Sequence, residues 1–208
     1  MLQIIGHFLS IANYFTFIRI FISPIFLLVY LHHDYLEINP SLLPYVLLFL
    51  LGVSELSDAF DGYLARKYNQ VTDFGKILDP MADSIARLSY FLTFTAEPVR
   101  LPLALIFIFV YRDSVVSTLR TICALKGFAL AARTSGKIKA GIQAMAALTV
   151  LILMIPHSLG YLSSPDLQYI STWVVGIAGI YTAYSGVDYV YANRQYIAKL
   201  LSLHPAKP

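Results

Sequence analysis

The sequence predicts an all-α membrane protein, a bundle of six transmembrane helices with both termini on the cytoplasmic side. Three observations carry that expectation. The 208 residues are 58% hydrophobic and only 13% charged, too little polar surface for a soluble domain of this length. The apolar residues come in long unbroken blocks rather than amphipathic stripes. Lys and Arg then fall in alternate connections between those blocks, which fixes the sidedness.

Runs of about 20 apolar residues, the length that spans a bilayer, lie near 13–32, 42–65, 77–96, 102–125, 138–156 and 168–191. Pro24, Pro80 and Pro102 fall in or near these spans, and membrane helices accept proline where neighbours satisfy the freed backbone groups. The connection after the second span carries Arg66, Lys67 and Lys76, and that after the fourth carries Lys126, Arg133, Lys137 and Lys139. The tail carries Arg194, Lys199 and Lys207, whereas "HHDYLEINPS" and "HSLGYLSSPD" have no Lys or Arg and the third connection has only Arg100. By the positive-inside rule the termini and both basic connections are cytoplasmic, an alternation that suits six spans and fails for five or seven.

The first run has no basic n-region and no small-x-small cleavage site after it, so it reads as a retained span and not a signal peptide. The preceding "MLQIIGHFLS" is compatible with a short interfacial helix. No repeat or linker divides the chain, so residues 1–208 read as a single membrane domain. A net charge of +3 is too weak and too scattered to suggest a nucleic-acid binder. The lone Cys123 excludes an intrachain disulfide and a cysteine-based zinc cluster. His7, His32, His33, His157 and His204 are too dispersed for a metal set, and the 15 tyrosines and 13 phenylalanines read as interfacial belt and packing.

The stretch "DAFDGYLARKYNQVTDFGKILDPMAD" places Asp58 and Asp61 in the last turns of the second span and Asp79 and Asp83 in the first turns of the third. A charge in the hydrocarbon core costs about 2.5–3.5 kcal/mol even on the lenient insertion scale. Four carboxylates must therefore face a polar cavity. Asp58 and Asp61 are spaced i, i+3 and Asp79 and Asp83 i, i+4, so each pair shares one helix face. Oxygen-only ligands suit a hard divalent cation, Mg²⁺ or Mn²⁺. Gly62 and Gly75 leave room for close approach of a ligand, and Arg66 offers a fork for phosphate. A carboxylate-bound metal beside arginine at a membrane surface points to phosphoryl transfer on a pyrophosphate-bearing lipid. Each acid taken alone could equally be interfacial, or a helix-face partner as Asp83 is for Arg87 at i, i+4. Four together on two helices favour a common ligand.

These residues also carry a resemblance. Asp58, Asp61, Gly62, Ala65, Arg66, Gly75, Asp79 and Asp83 fill every fixed position of D-x2-D-G-x2-A-R-x8-G-x3-D-x3-D, so the stretch resembles the signature of the CDP-alcohol phosphotransferase family. Within it the chain is most similar to the phosphatidylglycerophosphate synthases. Asn13, Thr16, Arg19 and Pro24 match their first helix, and "TDFGKILDPMAD", "YRDSVVSTLR" and "ARTSGKIKAGIQ" look like their later segments. Three positions depart from that subgroup's usual pattern. Ser84 stands where Lys is usual, Asp113 follows Arg112 where Glu is usual, and Ala140 stands where Thr is usual.

The resemblance implies that Asp58, Asp61 and Asp79 hold metal ions, two in number, with Asp83 completing the second site and acting as general base. Gly62, Ala65, Arg66 and Gly75 would line the CDP site. The reaction implied is transfer of the phosphatidyl group from CDP-diacylglycerol to sn-glycerol 3-phosphate, by a homodimer in a bacterial inner membrane with its site facing the cytoplasm. An anionic acceptor needs a basic pocket, for which Arg112, Arg120, Lys137 and Lys139 are the candidates. Other acceptors (serine, inositol phosphate or another alcohol) keep the mechanism, and a neutral or zwitterionic one would need fewer cations. A cation transporter using the aspartates as an ion path is a reading of another class, but such a path should continue across the membrane. Glu55 and Asp188 have no assigned task, and either could pair with a buried arginine such as Arg19.

Overall fold

Helices and their short connections make up the described residues of the computed structural model, which are 11–67, 73–125 and 133–202, with no strand among them. The elements are α1 (Ile11–Leu31), α2 (Leu43–Lys67), α3 (Asp73–Thr93), α4 (Leu103–Leu125), α5 (Thr134–Ser158), α6 (Ser164–Ala192) and the short α7 (Arg194–Ser202). The interfacial helix expected over 1–10 lies outside the described residues.

Each of the six apolar runs is helical, but four helices start earlier than their runs, α1 by two residues and α3, α5 and α6 by four. α3 begins at Asp73 and α5 at Thr134, ahead of 77 and 138, because backbone hydrogen bonding continues through polar residues that end a hydropathy run. Asp79 and Asp83 consequently lie in the second and third turns of α3, not the first. α2 likewise runs on to Lys67, so Asp58 stands more than two turns before its end.

The α2 segment Leu43–Phe60 and the whole of α5 and α6 are long and apolar enough to cross a membrane, and α1 contributes a shorter apolar stretch, Phe15–Leu31. α5, with 25 residues, is about 37 Å long at 1.5 Å per residue, against about 30 Å of hydrocarbon. α3 and α4 are interrupted by charge: Asp73, Lys76, Asp79, Asp83 and Arg87 on the one, Arg112, Asp113 and Arg120 on the other. The outer faces are apolar, with Phe21, Phe49, Trp173, Ile177 and Val187 all exposed, as lipid-facing surfaces should be.

α1 packs chiefly on α2 and α3, α5 on α6, and α4 on α6, with α2 against α5 joining the two groups. The interior is divided along the bundle. Phe26, Leu47, Phe91, Phe109, Leu151 and Leu167 fill one end. Arg19, Ser54, Ser57, Asp113, Lys139, Gln143, Thr182 and Ser185 are buried toward the other. Successive helices meet this change in alternate senses. In α1, α3 and α5 the polar part comes first, and in α2, α4 and α6 the apolar part does, as an up-and-down order requires. Serine and proline start α6, where Ser163 accepts a hydrogen bond from the Asp166 backbone N–H. Arg100, the one base in the connection from α3 to α4, is paired with Glu97.

The apolar end is locked by rings. Phe26 is fully buried, with its ring centroid 4.7 Å from that of Tyr90 and 6.0 Å from that of Phe94. Phe26→Ala is expected to lower unfolding stability in detergent by about 3–5 kcal/mol, the usual cost of emptying an aromatic site. Phe21→Ala, on the lipid face, should stay within about 0.5 kcal/mol. Equal denaturation midpoints for the two variants would contradict this packing.

Candidate active site

Three helices converge on one guanidinium. Arg19 of α1 is 2% exposed, and its Nη1 donates to Asp58 Oδ1 of α2 and to Asp83 Oδ1 of α3, both at 2.5 Å. One turn earlier on the same face of α1, Thr16 Oγ1 donates to Asp79 Oδ1 at 2.8 Å. Arg87 stands 3.5 Å from Asp83 Oδ2, the i, i+4 pairing that the spacing allowed. So Asp58, Asp79 and Asp83 are brought together, and what holds them is α1. The sequence pattern had flagged Thr16 and Arg19 as matches. Their i, i+3 spacing was the available signal that they act as one face.

The carboxylates that accept hydrogen bonds from Arg19 among the described residues are Asp58 and Asp83, and Asp188 is engaged elsewhere. Asp188 accepts hydrogen bonds from Arg133 Nε and Nη2, at 2.9 and 3.1 Å, and from Ser135 Oγ at 2.6 Å. Glu55 is half-buried and makes no hydrogen bond among the described residues.

Asp61, Gly62, Ala65 and Arg66 lie on the last turns of α2 and Gly75 near the start of α3. Their side chains lie outside the described residues. Among those described, no three acids, histidines or cysteines stand close enough to hold a metal ion unaided, and Arg19 stands between Asp58 and Asp83. The donor chemistry nonetheless fits a hard divalent cation: all the ligands on offer are carboxylate oxygens. Asp58 Oδ2 and Asp79 Oδ2 carry no hydrogen bond among the described residues.

A second polar centre adjoins the first. Asp113 of α4, 8% exposed, accepts from Lys139 Nζ of α5 at 2.7 Å and from Arg112 Nη1 at 2.9 Å, both on Oδ1. Its Oδ2 accepts from Ser84 Oγ of α3 at 3.2 Å. Ser84 follows Asp83 in the chain, so α3 carries one residue of each centre side by side. Ser84 and Asp113 are two of the positions where the chain departs from the pattern it resembles, and they are hydrogen-bonded partners. Sequence reasoning treated them as separate variations.

Of the four cations expected to serve an acceptor, Arg112 and Lys139 meet at Asp113. Arg120 does not join them. Its guanidinium carbon lies 5.8 Å from the centroid of the Tyr189 ring, within cation–π range. Lys137 is exposed and makes no hydrogen bond or ion pair among the described residues.

The family model described as CDP-alcohol phosphatidyltransferase matches residues 9–184. Curated proteins named CDP-diacylglycerol--glycerol-3-phosphate 3-phosphatidyltransferase are similar over most of the chain. That of Bacillus subtilis (strain 168) is 33% identical over 190 residues, 88% of this chain and 95% of its own. That of Rickettsia typhi (strain Wilmington) is 33% identical over 178 residues, covering 85% and 94%. That of Rickettsia felis is 34% identical over 178 residues, covering 85% and 92%.

Removing Arg19 leaves two carboxylates facing each other without their shared cation. Breaking a buried pair costs about 3–5 kcal/mol, and Arg19→Met should fall near the lower end because Asp58 keeps solvent access. A denaturation midpoint equal to that of the parent would show that the bridge does not hold α1 to α2 and α3.

Proposed function

The chain belongs to the CDP-alcohol phosphatidyltransferase family, and from that premise we propose that it transfers the phosphatidyl group of CDP-diacylglycerol to sn-glycerol 3-phosphate, yielding phosphatidylglycerol phosphate and CMP. The relatives' names support donor and acceptor. The observation in this chain that carries the acceptor is the pairing of Arg112 and Lys139 on Asp113, one residue step along α3 from Asp83. A phosphate-bearing alcohol can place its phosphate against those cations and its hydroxyl toward the aspartates.

In this proposal Asp58, Asp61 and Asp79 would hold Mg²⁺ or Mn²⁺, with Asp83 completing the second site. Such ions supply charge neutralisation for a pyrophosphate and its leaving group. Gly62, Ala65, Arg66 and Gly75 line the CDP portion. Asp83 acts as general base, and its Oδ2 is the oxygen suited to take the proton. Its 3.5 Å contact with Arg87 is longer than a normal hydrogen bond, whereas Oδ1 is bound closely by Arg19. The acceptor oxygen loses its proton to Asp83 and forms a bond to the β-phosphorus, and the bond from that phosphorus to the CMP oxygen breaks. Arg112 and Lys139 orient the acceptor phosphate so that its hydroxyl is in line with that bond. Arg120 and Lys137 would serve at the rim of the pocket.

The same reading takes residues 1–208 as one domain of six membrane-crossing helices in a bacterial inner membrane. Both termini and the site face the cytoplasm, and two copies associate as a homodimer. The alternating polar and apolar halves of α1 to α6 and the positive-inside distribution support the orientation. A cation path is disfavoured, because beyond the aspartates the interior is filled by Phe26, Tyr90, Phe91 and Phe94.

The test is CMP release by purified protein in detergent, with CDP-diacylglycerol and either Mg²⁺ or Mn²⁺. Parallel reactions contain sn-glycerol 3-phosphate, serine or inositol phosphate. Release is expected with glycerol 3-phosphate alone and should stop on chelation of the metal. Asp83→Asn should lower kcat by about 10²–10⁴-fold, the usual contribution of a general base. Release driven by serine or inositol phosphate instead would overturn the acceptor assignment.

A further inference from the structure

We infer that α6 is the template that positions the acceptor subsite, acting through Ser185, Gly186 and Asp188 without contributing a group that touches substrate. This rests on the reading of Arg112 and Lys139 as the groups that bind the acceptor's phosphate.

Arg112 is held on two sides. Its Nε donates to Ser185 Oγ at 3.1 Å and its Nη1 to Asp113 Oδ1 at 2.9 Å. The Ser185 hydroxyl proton is itself engaged, donated to the Thr182 carbonyl at 2.9 Å, so a lone pair of that oxygen faces Arg112. The stem of the arginine lies against Gly186, where an added Cβ would stand 3.0 Å from Arg112 Cγ. A methyl group there would press on the arginine stem and force it to shift by a few tenths of an ångström. Nη2 has no hydrogen bond among the described residues and is the edge left for an anion. A guanidinium fixed at two nitrogens and open at the third is preorganised for a phosphate oxygen.

Asp188 does the corresponding work for α5. It stands one turn beyond Ser185 on the same face of α6 and clamps Arg133 and Ser135 at the start of α5. Lys139 lies one turn further along α5 from Ser135. The two cations come from different helices, and both are registered against one stretch of α6. Sequence reasoning left Asp188 without a task and did not single out Ser185 or Gly186, which look like filler in an apolar helix.

The decisive variant is Gly186→Ala, which adds one methyl group and deletes no polar atom. With purified full-length protein in detergent, the Michaelis constants for glycerol 3-phosphate and CDP-diacylglycerol are measured separately, together with kcat and the thermal midpoint. Gly186→Ala, Ser185→Ala and Asp188→Asn are each expected to raise the constant for glycerol 3-phosphate by about tenfold, the loss of roughly one charge-assisted hydrogen bond. The constant for CDP-diacylglycerol should stay within about twofold. Gly176→Ala, on the same helix with nothing near its would-be methyl, should match the parent. Variants that keep the parent's constant for glycerol 3-phosphate would overturn the template while leaving the reaction intact. So would variants that lose affinity for both substrates in step with a fallen thermal midpoint, since that is a folding defect alone. A parent protein that releases no CMP with glycerol 3-phosphate would overturn this inference and the reading beneath it.

Discussion

The bridge from Arg19 to Asp58 and Asp83 is the constraint on which the rest of the site depends. Carboxylates on two neighbouring helices cannot crowd together in an apolar bundle without a counter-charge. Arg19 supplies it from a third helix, and Thr16 adds Asp79 to the same face of α1. The cost of burying this arginine is offset only if its donors are satisfied, so α1, α2 and α3 are held to one relative register. A shift of α1 by a single residue would turn Arg19 about 100° away from the acids. The aspartates are thus assembled before any substrate arrives, and the apolar end of the bundle, with Phe26 and Tyr90 packed together, keeps the helices in that register.

The two polar centres differ in charge, and the difference matches what each is proposed to bind. Among the described residues, Asp58, Asp79, Asp83 and neighbouring Glu55 stand against Arg19 and Arg87, so acids outnumber bases. Arg112 and Lys139 against Asp113 are two bases to one acid, a net charge of +1. The negative centre suits a divalent cation, and the positive one suits a phosphate. They are tied together through the backbone of α3, where Asp83 and Ser84 are consecutive, and through the hydrogen bond from Ser84 to Asp113. Because that tie is short and rigid, the separation between a bound phosphate and the proposed base is set by the fold. A neutral acceptor would leave the positive centre without a ligand.

Much of this was legible in the sequence, for reasons that also mark where legibility stopped. Apolar run length located six helices because a span must fill the hydrocarbon thickness, and helical periodicity placed each aspartate pair on one face. Helix starts were less legible: α3 begins at Asp73 and α5 at Thr134 because hydropathy reports burial and not hydrogen bonding. The partner of Arg19 was not legible at all. Asp58 and Asp83 lie 39 and 64 residues away in the chain, and several acids could have served as well on charge alone. The four acceptor cations were grouped by sidedness, which cannot separate Lys139, buried on Asp113, from exposed Lys137 only two residues before it. Their division follows from which face of α5 turns into the bundle: Lys139 is buried there and reaches Asp113, whereas Lys137 is exposed.

The glycine at 186 shows how a functional constraint can hide in an apolar helix. Membrane helices use small residues to let neighbours approach closely, so a glycine on α6 reads at first as a packing device. Here the group that approaches is a charged stem and not an apolar ridge. The arginine enters against Gly186 and finds an acceptor, Ser185, on the adjoining residue. Space and polarity are supplied together at neighbouring positions, and neither suffices alone. Space without the hydroxyl would leave Nε unpaired in a dry interior, and the hydroxyl without the space would be out of reach of the guanidinium. A cation can therefore be held between α4 and α6 with one edge of its guanidinium left open, because the two requirements are met by consecutive residues of one helix.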